Sequence, residues 1–273
     1  MNTRSRAARG SGTRDPDAKT GYDEDLAWVH DVGFGHFAES AAPGILSMIG
    51  GPPVPDEPPP LVVELGCGSG ILAASVATAG FRFLGYDASE AMLRLARGRL
   101  REAGAAGALS SRARFVKASF VDADLPPCRA VIAMGEVLGY LFDARASRGA
   151  TLLTRLFRRV ATALEPGGKF LFDLAGPDRD HGIHPRWREG EGWAILIASE
   201  TDPARTVLTR RMTVFRKKGK HWRRSHEVHR LRLYPPAEIE SMLRRTGLRV
   251  RRVRSYGGRA FPRGLTGFVA RKP

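Results

Sequence analysis

The sequence predicts an α/β fold: a seven-strand, mostly parallel, doubly wound sheet with an antiparallel β insert between strand 5 and the last helix. Three observations predict it. From residue 61 to residue 175, short apolar runs alternate with helix-period segments, the rhythm of parallel strands covered on both faces. After Ala175, strand-like runs follow one another with only turns between them, which reads as an antiparallel meander. The 273 residues, 42% hydrophobic and 26% charged, have ordinary globular composition and suffice for one well-filled domain.

The elements follow in order. Residues 1–20 are rich in Arg, Ser and Gly and read as a disordered tail; residues 21–273 form the single domain. Residues 22–49 read as two short helices broken at Gly33 and Gly35, and Gly50–Pro60 as a Pro-rich linker that cannot continue a helix. Leu61–Leu65 is the first core strand, Gly66–Gly70 a glycine-rich turn, and Ile71–Ala79 a helix of small and apolar residues. Phe81–Tyr86 is a strand, and Ser89–Ala103 a helix with Ser89 as N-cap. Ala113–Lys117 and Cys128–Met134 are the next two strands. Arg148–Leu164 is an amphipathic helix, with Leu152, Leu153, Leu156, Phe157, Val160, Ala163 and Leu164 on one face. Pro166-Gly167-Gly168 stops it, and Lys169–Ala175 is the fifth strand. The insert, 176–234, holds three strand-like runs: Trp193–Ser199, Thr206–Phe215 and His221–Tyr234. Residues 235–273 close the domain with a helix over Pro235–Thr246 and strands over Leu248–Tyr256 and Leu265–Ala270.

Composition narrows the function classes. No apolar run approaches the ~20 residues that cross a bilayer, and the charged amino terminus lacks the apolar stretch of a secretory signal. The two cysteines, Cys67 and Cys128, have no Cys or His at ligand spacing, so a zinc site is not expected. Reduced thiols fit a cytoplasmic protein. The net charge of +16 is uneven: residues 201–263 carry 19 Lys/Arg against 4 Asp/Glu. Such a field attracts anionic partners. Arg-rich usage runs through the whole chain, however, so a solvated sheet face explains the excess equally.

The chemistry is concentrated in Val62-Val63-Glu64-Leu65-Gly66-Cys67-Gly68-Ser69-Gly70. A buried strand ends in a carboxylate, and alternate glycines let the backbone turn tightly against a ligand before a helix begins. A dinucleotide site uses G-x-G-x-x-G and sets a pyrophosphate on the helix N-terminus. Here the spacing is G-x-G-x-G, and Glu64 stands in front of it. A fixed carboxylate suits a ligand bearing an ammonium group and disfavours a pyrophosphate.

This stretch resembles the first motif of class I S-adenosylmethionine-dependent methyltransferases; with Gly21-Tyr22-Asp23 the chain resembles the small-molecule branch that includes amino-sugar N-methyltransferases. The resemblance implies a Rossmann-like core over 61–175, S-adenosyl-L-methionine as cofactor with S-adenosyl-L-homocysteine as product, and no metal. It places Glu64, Gly66, Cys67, Gly68 and Gly70 around the cofactor. Asp87, ending the second strand with Ala88 and Met92 beyond it, is similar to the acidic residue that takes both ribose hydroxyls; one carboxylate accepts two such donors. Lys117-Ala118-Ser119-Phe120 occupies the place of the adenine-contacting turn, with Ser119 where the family more often has Asp. Met134, Gly135 and Glu136 fall at the family's cofactor–substrate junction, and Leu164–Gly168 resembles its turn before strand five. Gly21-Tyr22-Asp23 resembles the tyrosine-bearing segment that covers the cofactor in small-molecule N-methyltransferases, which makes residues 21–60 a cap.

Methyl transfer from a sulfonium is an in-line displacement, so alignment, water exclusion and one modest proton acceptor are expected. The candidates are Tyr22, Glu136 and His229, with His226 as the alternative base. Glu136 and Tyr140 follow strand four and should face the pocket mouth. Glu227 and His229, at i and i+2, share one strand face of the insert, which reads as the substrate lid. Some of Arg210, Arg211, Arg223, Arg224, Arg230 and Arg232, with Arg230 and Arg232 foremost, are expected to read an anionic group on a small substrate. The competing readings are a nucleic-acid methyltransferase using the basic segment and a non-catalytic cofactor-binding regulator. Against the first, the chain has no Asn-Pro-Pro-Tyr type motif, no paired catalytic cysteines and no appended RNA-binding module. The expected state is a monomer or homodimer, away from membranes.

Overall fold

The computed structural model describes residues 21–50, 58–103, 111–141, 150–179, 185–258 and 260–273. The amino-terminal segment 1–20, most of the Pro-rich linker and the start expected for the amphipathic helix at Arg148 lie outside the described residues.

Two helices, α1 (Glu24–Phe34) and α2 (His36–Ile49), precede the core. Next come β1 (Leu61–Leu65), α3 (Ile71–Thr78), β2 (Arg82–Asp87), α4 (Glu90–Ala103), β3 (Ala113–Lys117) and β4 (Cys128–Ala133). A single 3-10 turn, Val137–Gly139, leads on to α5 (Ala150–Ala163) and β5 (Leu164–Ala175). The insert contributes β6 (Arg186–Gly190), β7 (Trp193–Thr201), β8 (Val207–Lys218) and β9 (His221–Arg232). Helix α6 (Pro236–Arg244) and strands β10 (Arg249–Val253) and β11 (Leu265–Arg271) complete the chain.

The core sheet has seven strands in the order β10-β11-β5-β4-β1-β2-β3. The pairs from β5 to β3 are parallel, and β11 runs antiparallel to both β5 and β10. Strand β1 lies between β2 and β4, so the winding reverses at its edge, where such sheets open a crevice at the strands' carboxyl ends. Both faces are covered. Phe157, Val160, Ile239 and Leu243 of α5 and α6 pack on one side, and Ile45, Leu72 and Val76 of α2 and α3 on the other. Ser89 caps α4 as its sequence suggests, its Oγ accepting the Met92 N–H at 3.1 Å.

The insert forms its own antiparallel sheet, β6-β7-β8-β9, whose inner face lies over α1. Leu26 and Val29 of α1 meet Trp193, Ile195, Met212 and Val214. On its other side α1 touches α4, with Ala27 against Ala91 and Met92 and with Asp31 paired to Arg99. Helix α1 therefore lies between the insert sheet and α4.

Three details depart from the sequence reading. Gly33 does not break a helix; it lies inside α1, where a Cβ would stand 2.6 Å from the Trp193 ring, so the break falls at Gly35 alone. Strand β6 was not expected, because RWREG is exposed throughout and has no alternating apolar face; it is an edge strand held by pairing to β7. Strand β5 starts at Leu164, so Pro166-Gly167-Gly168 is an irregular strand opening with a register slip opposite Cys128 and Ala130.

Candidate active site

The loop after β1 shows why each residue of the motif is needed. Glu64, 3% exposed, is the penultimate residue of β1, with its Oε2 buried and without a hydrogen-bond partner among the described residues. Burial and then the nearby charge of Asp87 push its carboxyl up to about 8. Gly66 and Gly70 have positive φ, and their added Cβ atoms would lie 2.5 Å from Val137 and 2.8 Å from Ala96. Gly68, at φ +52, is different: a Cβ there meets nothing within 4 Å, so its face is open to a ligand. Its N–H donates to Asp87 Oδ2 at 2.9 Å, and Ser89 N–H donates to Asp87 Oδ1 at 2.8 Å. Asp87 thus braces both the loop and the start of α4, and each oxygen keeps a second acceptor site.

The other expected cofactor contacts differ in exposure. Ala118 N–H donates to the Asp87 carbonyl at 3.0 Å, which brings the turn at Ser119 beside the ribose carboxylate. The Ser119 hydroxyl accepts Val121 N–H at 3.3 Å, capping its own turn, and Phe120 packs half-buried against the core. Ala88 is exposed, whereas Met92 is buried against Tyr22 and Ala27. Cys67 and Met134 are buried in the core cluster on the α2–α3 side, and burial pushes the Cys67 thiol up.

After β4 the chain makes two consecutive left-handed residues, Gly135 (φ 81) and Glu136 (φ 64). Asp173, fully buried on β5, accepts both of their N–H groups at 3.0 and 2.6 Å and the Tyr256 hydroxyl at 3.0 Å. Burial nevertheless pushes Asp173 up to about 6. The Glu136 carboxylate, 6% exposed, accepts Arg210 from β8 and Arg179 at 2.6 Å each. Burial alone would raise its pKa, but the two guanidinium groups outweigh that and hold it at about 2. Glu136 was expected to be a catalytic residue. In the structure its carboxylate is paired with two arginines, Arg179 and Arg210.

Opposite this turn stands an aromatic and imidazole cluster. The Tyr22 and Tyr140 hydroxyls are 3.1 Å apart, and Tyr22 meets His229 and His30 edge-on at ring distances of 4.9 and 5.0 Å. His229 and Glu227, each 1% exposed, share one face of β9 and are joined Nε2 to Oε2 at 2.9 Å. Glu227 Oε1 accepts the Asp23 N–H at 3.1 Å, and Ser89 Oγ donates to the Tyr22 carbonyl. The cap, the cofactor loop and the lid therefore meet at Tyr22. Burial pushes the His30 imidazole down to about 4, so it is neutral at pH 7.

His226, Arg230 and Arg232 have the opposite parity on β9 and lie on the outer face, with Arg230 exposed and His226 bonded to Thr213. The structure does not bring them to Glu227 and His229, because side chains alternate along a strand. The arginines that do arrive are Arg179 and Arg210. Arg210 was legible only as one of a basic run, since its pairing opposite His229 depends on register. Asp173 and Tyr256 were missed; a lone Asp inside the apolar run Lys169–Ala175 was the signal for the first.

The residues present fit an aminoacyl-sulfonium nucleoside. Glu64 offers a buried, unpartnered carboxylate to an ammonium group, Gly68 leaves room for close backbone approach, and Asp87 offers acceptors to a diol. Among the described residues no group of three His, Cys, Asp or Glu could hold a metal ion, and no helix is long and apolar enough to cross a membrane.

A doubly wound sheet opening at this loop, with a carboxylate before it and another at the end of β2, defines an S-adenosylmethionine-dependent methyltransferase. The profile of the methyltransferase domain family matches residues 34–253, and the chain belongs to that family. Ubiquinone biosynthesis O-methyltransferase of Stutzerimonas stutzeri is 32% identical over 111 residues, 41% of this chain, and the match spans 42% of that relative's length. The CcbJ methyltransferase of Streptomyces caelestis superposes with a TM-score of 0.71 at 25% identity, covering 93% of this chain and 98% of that one. S-adenosylmethionine-bound CalS10, an amino pentose methyltransferase of Micromonospora echinaspora, has the same fold, with a TM-score of 0.63 at 18% identity over 93% and 99% of the two chains.

Proposed function

We propose that this chain transfers a methyl group from S-adenosylmethionine to an amine of a small, sugar-like molecule, with His229 as the proton acceptor. The observation that carries the reading is the buried Glu227–His229 pair, which meets Tyr22 and Tyr140 at the carboxyl ends of the parallel strands. The amino pentose activity of a fold neighbour agrees with it.

Bound at the loop after β1, S-adenosylmethionine supplies an electrophilic methyl group on a sulfonium. Glu64 holds the ammonium end, Asp87 the ribose hydroxyls, and the turn at Ser119 the adenine edge. Tyr22 and Met92 cover the same end and keep water out. A neutral imidazole donating its Nε2–H to Glu227 carries its lone pair on Nδ1. Glu227, itself fixed by the Asp23 N–H, sets that tautomer, and the ring removes the proton that the amine loses on methylation. The Tyr22 and Tyr140 hydroxyls orient the amine, and the Arg179–Glu136–Arg210 cluster forms the wall beside it. Residues 61–175 act as the cofactor-binding core and 176–234 as the substrate lid.

The test is turnover with methyl-labelled cofactor on amino sugars and on their hydroxyl counterparts. Label is expected on the amine only. His229→Asn should lower kcat about 10²- to 10³-fold while leaving the cofactor Kd unchanged. Equal turnover of the hydroxyl compounds, or an undiminished kcat in the variant, would remove the reading.

A further inference from the structure

We infer that Arg99 is a positioning residue that couples the cofactor loop to the cap helix, so that cofactor binding depends on Asp31 of the cap, acting through Arg99. The inference rests on the cofactor lying at the loop after β1 and is independent of which atom receives the methyl group. One guanidinium makes both contacts. Arg99 Nε, from α4, donates to the Ser69 carbonyl at 3.1 Å, and its Nη2 donates to Asp31 Oδ1 of α1 at 2.5 Å. The pair is mostly covered, with side-chain exposures of 31% for Arg99 and 16% for Asp31.

Three observations give this link a purpose beyond joining two helices. The first is the loop itself. The Ser69–Gly70 peptide directly follows Gly68, the residue with the open face, and it is held at both ends. Its N–H, on Gly70, donates to the Cys67 carbonyl at 3.0 Å, while its oxygen accepts Arg99. The first hold is local to the loop; the second reaches in from α4 and continues to α1. The second observation is the place of Asp31, in the last turn of α1, where a carboxylate opposes the helix dipole and no base stands nearby in the turn. Asp31 does nothing for its own helix, and its partner is the arginine that holds the loop. Thirdly, the other end of the cap is tied the same way. Ser89 Oγ donates to the Tyr22 carbonyl, and Ser89 N–H donates to Asp87 Oδ1. Both ends of the cap are thus bonded to groups that border the cofactor, one at the glycine turn and one at the ribose carboxylate. A guanidinium presents two N–H groups in one rigid plane, which a lysine ammonium does not reproduce.

The experiment is calorimetric titration of the full-length protein with S-adenosylhomocysteine, paired with amide exchange of α1. Asp31→Asn and Arg99→Lys should each raise the Kd about tenfold, and the double variant by about the same tenfold instead of about a hundredfold, because each change breaks one linkage. Asp31→Glu keeps the carboxylate and should recover most of the wild-type affinity. Exchange separates coupling from simple helix packing: the ligand should slow amides 31–34 in the wild type and leave them unaltered in Arg99→Lys. Wild-type affinity in either single variant, effects that multiply in the double variant, or equal ligand protection of α1 in Arg99→Lys would each overturn the proposal.

Discussion

At the scale of single residues the site depends on carboxylates whose environments differ. Glu136 is neutralised by two guanidinium groups and stays ionised, whereas Glu64 has no cationic partner among the described residues and favours its neutral form. The folded Glu64 retains a proton up to about 8, while the unfolded residue releases it near 4.5, so the folded state loses stability as pH rises across that window. Glu64→Gln removes this penalty. Without cofactor, the variant should match the wild type at pH 5 and melt a few degrees higher at pH 8, at about 2–4 °C per kcal/mol recovered. It should also bind the cofactor at least about tenfold more weakly, through loss of a charge-assisted contact. Titration of the wild type at pH 7 in buffers of different ionisation enthalpy should show release of about one proton on binding, and no release in Glu64→Gln. The melting difference at pH 8 and the proton release both vanish if Glu64 is already ionised. Sequence revealed Glu64, Asp87 and the glycines because local backbone geometry dictates them. Asp173 was hidden, since its duty is to hold two N–H groups of a turn 37 residues away.

At the scale of elements, α1 is held by charge as well as by apolar packing. Asp25, 5% exposed, receives Arg216 at 3.4 Å and also Arg223; Arg216 stacks over the Trp28 ring at 4.2 Å. Replacing Asp25 with Ala leaves the mostly buried Arg216 without its inner partner. The expected cost is about 3 kcal/mol, seen as a Tm fall of several degrees. Chevron analysis that shows no stability change would contradict this account. The parallel core was legible because every element carried its own period and stop signal. The edge strand β6 was not, because its formation depends on the neighbour it pairs with. Likewise, which of the lid's histidines and arginines face inward is fixed by a register that becomes certain only once β8 and β9 are paired, and a one-residue slip would have exchanged them.

At the scale of the whole molecule, six of the nineteen Lys/Arg of residues 201–263 are seen paired with acids at 3.4 Å or less. Arg210 goes to Glu136, Arg211 to Glu200, Arg216, Lys218 and Arg223 to Glu24 and Asp25, and Arg252 to Glu240. A nucleic-acid reader would present such groups outward to phosphates. Binding of bulk RNA is accordingly expected to be weak at about 150 mM salt, and an electrophoretic shift there would count against the small-molecule reading. One more consequence follows from the eleven-residue rod of α1, fastened to a lid strand on one flank and to α4 on the other. Neither layer can loosen while the other stays intact, so calorimetry should record a single endotherm, and ligand bound beneath the rod should slow amide exchange in β7 and β8 as much as in the nucleoside loop itself.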